Sequence, residues 1–240
     1  MRRGLWFTSV VLLAWATVPM SVALGGDETC FGSQPTIVGT DDDDTLTGTS
    51  GDDVIVGRGG DDVIDALEGN DLVCSGDESP EDDGNNGDVV KGGPGEDRID
   101  GGYGNDEMHG GDGADQLRDP DGMDRLYGGT GPDVLSGGND PDGLFGGPGD
   151  DLIRGGVRGG DGDFDSVGFG SVNAGVVVDL AAGTSRGEGK DTLVDVENAG
   201  GTAHDDVLRG TEEDNSLGGR GGDDLLIGRG GGDLLLEGRG

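Results

Sequence analysis

The sequence predicts an all-β fold in which the chain winds into a flattened helix with a sheet on each side. Three observations predict it: one aliphatic residue recurs every nine positions, an aspartate stands two positions before nearly every one of these residues, and glycines fill the positions before the aspartate. The glycines allow tight turns, and the residues that follow form a short strand whose middle side chain points to one face. Two such units complete one coil, and successive coils stack at about 4.8 Å.

The composition excludes several classes of function. The chain has 240 residues, with 51 acidic and 15 basic side chains and a formal charge of −36. So acidic a chain does not hold a phosphate backbone and is repelled by an anionic membrane surface. With 57 glycines and 4% aromatic residues, a layered domain with a thick core is excluded as well. Such a composition favours disorder when it has no period, but a low-complexity tract has no reason to keep one aliphatic at every ninth position.

Residues 1–23 are predicted to be a secretory signal peptide. Arg2 and Arg3 precede an apolar run over 5–24, and small residues stand near Ala23. A basic start, an apolar stretch and a small-residue cleavage site are typical of exported proteins. A membrane anchor is the alternative, but polar residues interrupt the run, which favours cleavage. Removal of the two arginines takes the charge from −36 to −38, and we expect the mature protein to be secreted and extracellular.

Residues 24–35 form a predicted N-terminal cap segment that contains Cys30. The chain has two cysteines, Cys30 and Cys74. Because an exported protein meets an oxidising environment, one disulfide is favoured over two free thiols. A crosslink that closes a loop of this length contributes at most about 4 kcal/mol to stability in the loop-entropy model.

The main repeat block is predicted over 36–154, and a second, shorter block is predicted over 201–240. The period of nine holds through each block except for one short step after Asp71, and the residues in phase are the predicted core and the predicted cation ligands. The core series is Ile37, Leu46, Ile55, Ile64, Val73, Val90, Ile99, Met108, Leu117, Leu126, Leu135, Leu144, Ile153, Leu208, Leu217, Leu226 and Leu235. The aspartate series is Asp44, Asp53, Asp62, Asp71, Asp88, Asp97, Asp106, Asp115, Asp124, Asp133, Asp142, Asp151, Asp206, Asp224 and Asp233.

Coiling places each aspartate above the aspartate that stands two units later in the sequence. Carboxylates this close repel strongly unless a cation lies between them. A column of carboxylates beside turn carbonyls suits a hard cation with six to eight oxygen ligands, so calcium fits better than magnesium, which requires stricter octahedral geometry. Two cysteines and two histidines provide no ligand set for a softer metal.

Nine pairs of these aspartates have the two-unit spacing, which predicts about eight to ten calcium ions per chain. Because the ions offset the negative charge, we expect folding to be coupled to calcium binding. The pairs are 44/62, 53/71, 88/106, 97/115, 106/124, 115/133, 124/142, 133/151 and 206/224.

The units resemble the nonapeptide of the repeats-in-toxin (RTX, haemolysin-type) calcium-binding family, Gly-Gly-x-Gly-x-Asp-x-aliphatic-x. Residues 92–100, with the sequence Gly-Gly-Pro-Gly-Glu-Asp-Arg-Ile-Asp, are one of the cleanest units, and the resemblance covers 36–154 and 201–236. It implies a right-handed parallel β-roll in which each calcium is held by turn carbonyls and by the aspartates of neighbouring coils. Two stretches, 119–124 and 137–142, depart from the standard glycine pattern, so weaker sites are expected there.

Two interruptions break the period. The step from Asp71 to Asp88 falls one position short of two full units, which predicts a bulge or an excluded loop. Residues 155–200 are predicted to be an irregular spacer with two strands, over 176–180 and 191–198. Asp165 and Asp191 in this spacer are weaker candidates for additional ligands.

The sequence contains no recognisable catalytic motif. His109 occupies the last position of a repeat, and His204 precedes two acids in a turn; neither stands in a His-Glu-x-x-His motif. We therefore expect a non-enzymatic calcium-binding protein with a structural, adhesion or matrix role and an unknown surface or matrix partner. We expect no nucleic-acid partner and no membrane insertion once the signal is cleaved. Two alternatives stay open: an accessory calcium-binding module of a larger secreted toxin or hydrolase, and a disordered acidic polymer that binds calcium diffusely.

Overall fold

The structure is a computed structural model that describes residues 29–76, 87–156, 164–170 and 172–238. Within these ranges the regular secondary structure consists of β-strands in two sheets, which confirms the predicted all-β fold. No helix in the same ranges has the length and apolar character needed to cross a membrane. The predicted signal peptide over 1–23 lies outside the described residues.

The first sheet has twelve strands. In order across the sheet they are β1 (Ile37–Val38), β3 (Val54–Arg58), β5 (Leu72–Gly76), β7 (Arg98–Gly102), β9 (Gln116–Arg118), β11 (Val134–Gly138), β13 (Leu152–Gly156), β17 (Lys190–Val194), β16 (Thr184–Arg186), β15 (Val177–Asp179), β19 (Val207–Arg209) and β21 (Leu225–Ile227).

The second sheet has ten strands, and the chain alternates between the two sheets through the repeat blocks. In order across the sheet they are β2 (Thr45–Thr47), β4 (Val63–Asp65), β6 (Val89–Pro94), β8 (Glu107–Asp112), β10 (Arg125–Thr130), β12 (Gly143–Phe145), β14 (Ser166–Gly168), β18 (Asn198–Gly200), β20 (Ser216–Gly218) and β22 (Leu234–Leu236).

The strands of the repeat blocks pair in parallel, and each residue lies beside the residue two units later in the chain. In the first sheet Ile99 pairs with Leu117, and Leu117 pairs with Leu135. At the first interruption the register is longer: Val73 pairs with Ile99, because extra residues fall in that coil. The repeat phase resumes after this coil. Residues 77–86, where the bulge or excluded loop is predicted, lie outside the described residues.

The core is one continuous cluster of aliphatic side chains that both sheets contribute. Predicted core residues from Ile55 to Ile153, together with Leu208 and Leu217, are at most 1% exposed. Ile37, Leu46 and Leu226 are partly buried against this cluster, because they lie near the ends of the stack. Leu235 differs from the prediction: it is 43% exposed in β22, the outermost strand of its sheet, because no further coil covers it.

The spacer continues both sheets. Residues 155–200 contribute five strands rather than the two expected, and they add to each sheet between the two repeat blocks. In the first sheet β15, β16 and β17 form an antiparallel meander, whose outer strands pair in parallel with β19 and β13. In the second sheet β14 and β18 connect β12 to β20. The hydrophobic core therefore continues through this region.

The disulfide is confirmed: Cys30 is bonded to Cys74, and their Cα atoms are 5.7 Å apart. Cys30 is fully buried, and the guanidinium of Arg98 lies 3.8 Å from the ring centre of the neighbouring Phe31. Both contacts hold the segment before β1 against β5 and β7.

Candidate metal centre

The predicted aspartates form two ladders, one at the turns that lead into each sheet. Within each predicted pair, the later carboxylate accepts, through Oδ1, a hydrogen bond from the backbone N–H of the aspartate one coil earlier. Asp97 N–H donates to Asp115 at 2.8 Å, and Asp115 N–H donates to Asp133 at 2.8 Å. All nine predicted pairs are joined in this way. One oxygen of each carboxylate therefore fixes the register of the coils.

In most of these residues the other carboxylate oxygen, Oδ2, accepts no hydrogen bond from the described residues. These Oδ2 atoms are buried. Burying an acceptor without a partner is costly, and burying a charged one more so. The ten aspartates concerned are Asp62, Asp71, Asp88, Asp97, Asp106, Asp115, Asp124, Asp133, Asp151 and Asp224.

In most of these turns the free oxygen faces a space that is open only because the first residue of the unit is glycine. A Cβ placed on Gly110 would overlap Oδ2 of Asp115 and lie 2.5 Å from the carbonyl oxygen of Gly128 in the next coil. The same arrangement recurs one coil later at Gly128. A carboxylate oxygen and a main-chain carbonyl oxygen thus converge above a glycine at the first position of the unit.

These donors fit calcium. Carboxylate and carbonyl oxygens are the ligands calcium prefers, and its flexible coordination tolerates a turn-built site. A bound calcium would supply the positive charge that the orphaned carboxylate oxygens lack. The residues that would hold it are the ladder aspartates and the first-position glycine carbonyls of adjacent coils.

Burial sets the protonation behaviour of the ladders. Desolvation raises the pKa of Asp88, Asp97, Asp124 and Asp133 to about 7, although the backbone hydrogen bond to each carboxylate opposes the shift. The same cause raises the pKa of Asp106, Asp115 and Asp151 to about 6, and it raises the pKa of Asp62 and Asp71. Without a cation, the ladders therefore favour protons at near-neutral pH.

In four turns, a threonine of the same unit donates hydrogen bonds to the side chain of the ladder residue. Thr49 donates to Oδ2 of Asp53 through its backbone N–H at 2.6 Å and through its hydroxyl at 2.9 Å. The same threonine position binds Asp44, Asp206 and Asn215. These turns begin the two repeat blocks. The Oδ2 atoms of Asp44, Asp53 and Asp206, predicted as ligands, are therefore already hydrogen-bonded.

The ends of the stack are more open. Asp44, Asp224 and Asp233 are half-buried, whereas the predicted aspartates between Asp44 and Asp224 are buried. Asn215 occupies an aspartate position and donates through Nδ2 to the carbonyl of Glu197 at 2.8 Å.

The ladders also continue through residues that the regular spacing misses. Asp142 N–H donates to Asp165 at 2.9 Å, Asp151 N–H donates to Asp191 at 3.3 Å, and Asp165 N–H donates to Glu197 at 3.0 Å. Across the interruption at 77–86, Asp62 joins Asp88 and Asp71 joins Asp97. Asp165, Asp191 and Glu197 each stand two positions before a buried aliphatic or alanine residue, and this offset is the signal that identifies them.

The histidines lie outside these ladders. His109 stacks on Tyr127 with ring centres 4.6 Å apart, and its Nε2 lies 2.9 Å from Oε1 of Glu107. Tyr127 stacks in turn on Phe145 at 4.7 Å. His204 is exposed in a turn, where its N–H donates to the hydroxyl of Thr202.

Comparison with known proteins identifies the repeats. A model of the RTX calcium-binding nonapeptide repeat matches four times, over 38–73, 82–117, 121–153 and 200–235, which together make up more than half of the chain. A search of curated proteins found no match. With its nine-residue phase, two parallel sheets and buried aspartate ladders, the chain belongs to the RTX calcium-binding nonapeptide repeat family.

Proposed function

We propose that this protein is a secreted, non-catalytic β-roll whose folding outside the cell is coupled to calcium binding at the turns between coils. The ligands are the ladder aspartates and the glycine carbonyls that face them. The observation that carries the proposal is the set of ten ladder aspartates with a buried Oδ2 that lacks a hydrogen-bond partner among the described residues. The protein's proposed role is structural, or lies in adhesion or matrix association.

Electrostatics supports the coupling of calcium to folding. The chain carries a formal charge of −36, and the ladders stack carboxylates at the spacing of adjacent β-strands. Calcium relieves this repulsion only in the coiled state, because the ligands of one ion come from different coils. Millimolar calcium outside cells fills sites with a Kd of about 10⁻⁴ to 10⁻³ M, which is typical of extracellular modules.

A calcium titration tests this function. The full chain is dialysed against a chelator and then titrated with calcium, while circular dichroism and isothermal titration calorimetry follow structure and stoichiometry. We expect a cooperative gain of β-sheet signal and about eight to ten ions per chain. Magnesium at the same concentration serves as the control and should give a smaller change. A coil spectrum that calcium leaves unchanged would favour the disordered acidic polymer instead.

Two further measurements address export and catalysis. Expression of the reading frame with the segment 1–23 retained should release a shortened chain into the medium, and mass spectrometry should place the new N-terminus near Ala23. Protease and lipase assays on the calcium-loaded chain should show no turnover. Turnover abolished by substitution of His109 or His204 would contradict the non-catalytic role. A longer reading frame that encodes a catalytic domain would support the accessory-module alternative.

A further inference from the structure

Asp119 stands where the turns before and after it have Gly110 and Gly128, and Pro120 follows it. The second residue of those neighbouring turns has a positive φ, as in Gly111 at 120°. A proline ring holds φ near −65°, so the turn that begins at Asp119 cannot follow the same backbone path. The change in sequence therefore changes the geometry of one site.

The carboxylate of Asp119 takes the place of a main-chain carbonyl. At Gly92, a regular turn, the carbonyl oxygen of Gly110 lies 2.7 Å from the position of a Cβ, beside the ladder aspartate. At Gly101 the atoms nearest to this position are Oδ2 of Asp119 and Oδ2 of Asp106. The carbonyl oxygen of Asp119 is instead directed at the next coil, where it lies close to Gly138. One neutral ligand of the regular turn is thus replaced by an anionic one.

Asp119 is fully buried and neither of its carboxylate oxygens has a hydrogen-bond partner among the described residues. Oxygens of Asp106, Asp119 and Asp124 lie within 4.8 Å of one another. Three carboxylates at this separation repel strongly in a buried site unless a cation or a shared proton lies between them. This turn thus combines the orphaned ladder oxygens found elsewhere with an additional carboxylate aimed at the same point.

We propose that Asp106, Asp119 and Asp124 form a three-carboxylate cation site that binds its ion more tightly than the regular turns of the roll. The proposal rests on the proposed calcium function and assigns this site the first ion to bind. Affinity at oxygen sites rises with the number of charged ligands, so about ten-fold tighter calcium binding is expected here. Because attraction grows with the charge of the ion, the site should favour a trivalent lanthanide even more. The weaker site expected from the missing glycines is thereby replaced by a stronger one.

Calcium retained by the full chain at limiting concentration tests the proposal. The metal-free chain is dialysed against calcium about ten-fold below the midpoint for the bulk of the sites, and bound calcium is counted by atomic emission. A site that binds ten-fold more tightly is half filled at this concentration, so the wild type should retain about half an ion per chain more than Asp119→Asn, which should bind the remaining ions at their usual midpoint. Terbium in place of calcium should show the same difference at the first equivalent.

Asp121→Asn is the matched control. It removes one charge two residues away, yet its amide oxygen still accepts the bond from Asn139 Nδ2 that Asp121 accepts at 2.7 Å. This variant should retain the tight ion. If Asp119→Asn does not fold, Asp119→Gly restores the residue of the regular turns and should also lose the tight ion.

The outcomes separate this site from the general function. A chain that binds no calcium at any concentration contradicts the proposed function itself. A wild type with one uniform class of sites, or an Asp119→Asn chain that still holds one tight ion, overturns the three-carboxylate site and leaves the calcium function intact. Loss of the tight ion in Asp121→Asn as well would also overturn it, because net charge and not contact would then set the affinity.

Discussion

A single methyl group at Gly110 should remove one calcium site. The φ of Gly110 is not in the left-handed region, so alanine is acceptable to the backbone and only the added Cβ matters. This Cβ would overlap Oδ2 of Asp115 and lie 2.5 Å from the carbonyl oxygen of Gly128. Both oxygens are candidate ligands of the same ion, so Gly110→Ala fills the space where the ion would bind.

The expected loss of stability has two parts. Overpacking of the turn costs about 1–3 kcal/mol with or without calcium. Loss of a site that is filled at 100 times its Kd removes a further ~2.7 kcal/mol, and this part appears only with calcium. We therefore expect Gly110→Ala to lower the free energy of unfolding by about 4–6 kcal/mol in calcium.

Denaturant unfolding over a range of calcium concentrations measures both parts, and calorimetry counts the ions. Gly51→Ala is the control, because Gly51 also lies in a repeat turn but a Cβ there has nothing within 4 Å. Its stability should change by no more than about 1 kcal/mol. If Gly110→Ala and wild type bind equal numbers of ions and depend equally on calcium, the space above Gly110 is not a calcium site.

Three further predictions concern the ladders. Asp115→Asn should lose one or two ions, because its Oδ2 lies between two coils, whereas Asp195→Asn, exposed and outside the phase, should bind the full complement in calorimetry. Burial raises the pKa of residues such as Asp133 to about 7 from 3.8, so the metal-free chain should gain β-sheet signal as pH falls from about 7 to about 4, while calcium affinity falls; circular dichroism in chelator and calcium titrations at several pH values check both signs. Loss of β-sheet signal in chelator as pH falls over this range would contradict this. Thr49→Val should lower the free energy of unfolding in denaturant by about 1–2 kcal/mol and leave the ion count unchanged. Thr47→Val, at an exposed position of β2, is the control. Loss of an ion in Thr49→Val would contradict this prediction.

The regular part of the fold could be predicted because one spacing governs both the core and the ladders. A period of nine brings Ile99 over Leu117 and, by the same coiling, Asp97 over Asp115. At each coil of the regular repeats, the register that buries the aliphatic side chains is also the register that pairs the backbones. A fold is predictable from its sequence when such requirements agree. The pairing of Cys30 with Cys74 followed from the presence of only two cysteines.

The spacer and the Asp119 turn could not be predicted by counting. In the spacer, contacts with the adjacent coils place Asp165 and Glu197 in the ladder, although their sequence separations are irregular. At Asp119 the sequence shows only a missing glycine, and the direction of the side chain depends on the backbone path that Pro120 imposes. Both depend on local three-dimensional geometry, which a period does not encode.

Turns with threonine and turns with glycine at the second position of the unit differ in how they provide a partner for the buried Oδ2 of the ladder residue. A ladder carboxylate that fixes coil register with Oδ1 must also find a partner for Oδ2, since a buried anionic oxygen is costly without one. In a turn with threonine at the second position, the N–H and hydroxyl of Thr49 provide that partner from within the unit. In a turn with glycine there, such as the one before Asp115, the described residues provide none, and under the proposed function a bound calcium ion does. The threonine turns stand at the start of both repeat blocks, so under the proposed function each block begins with turns whose ladder residue needs no ion.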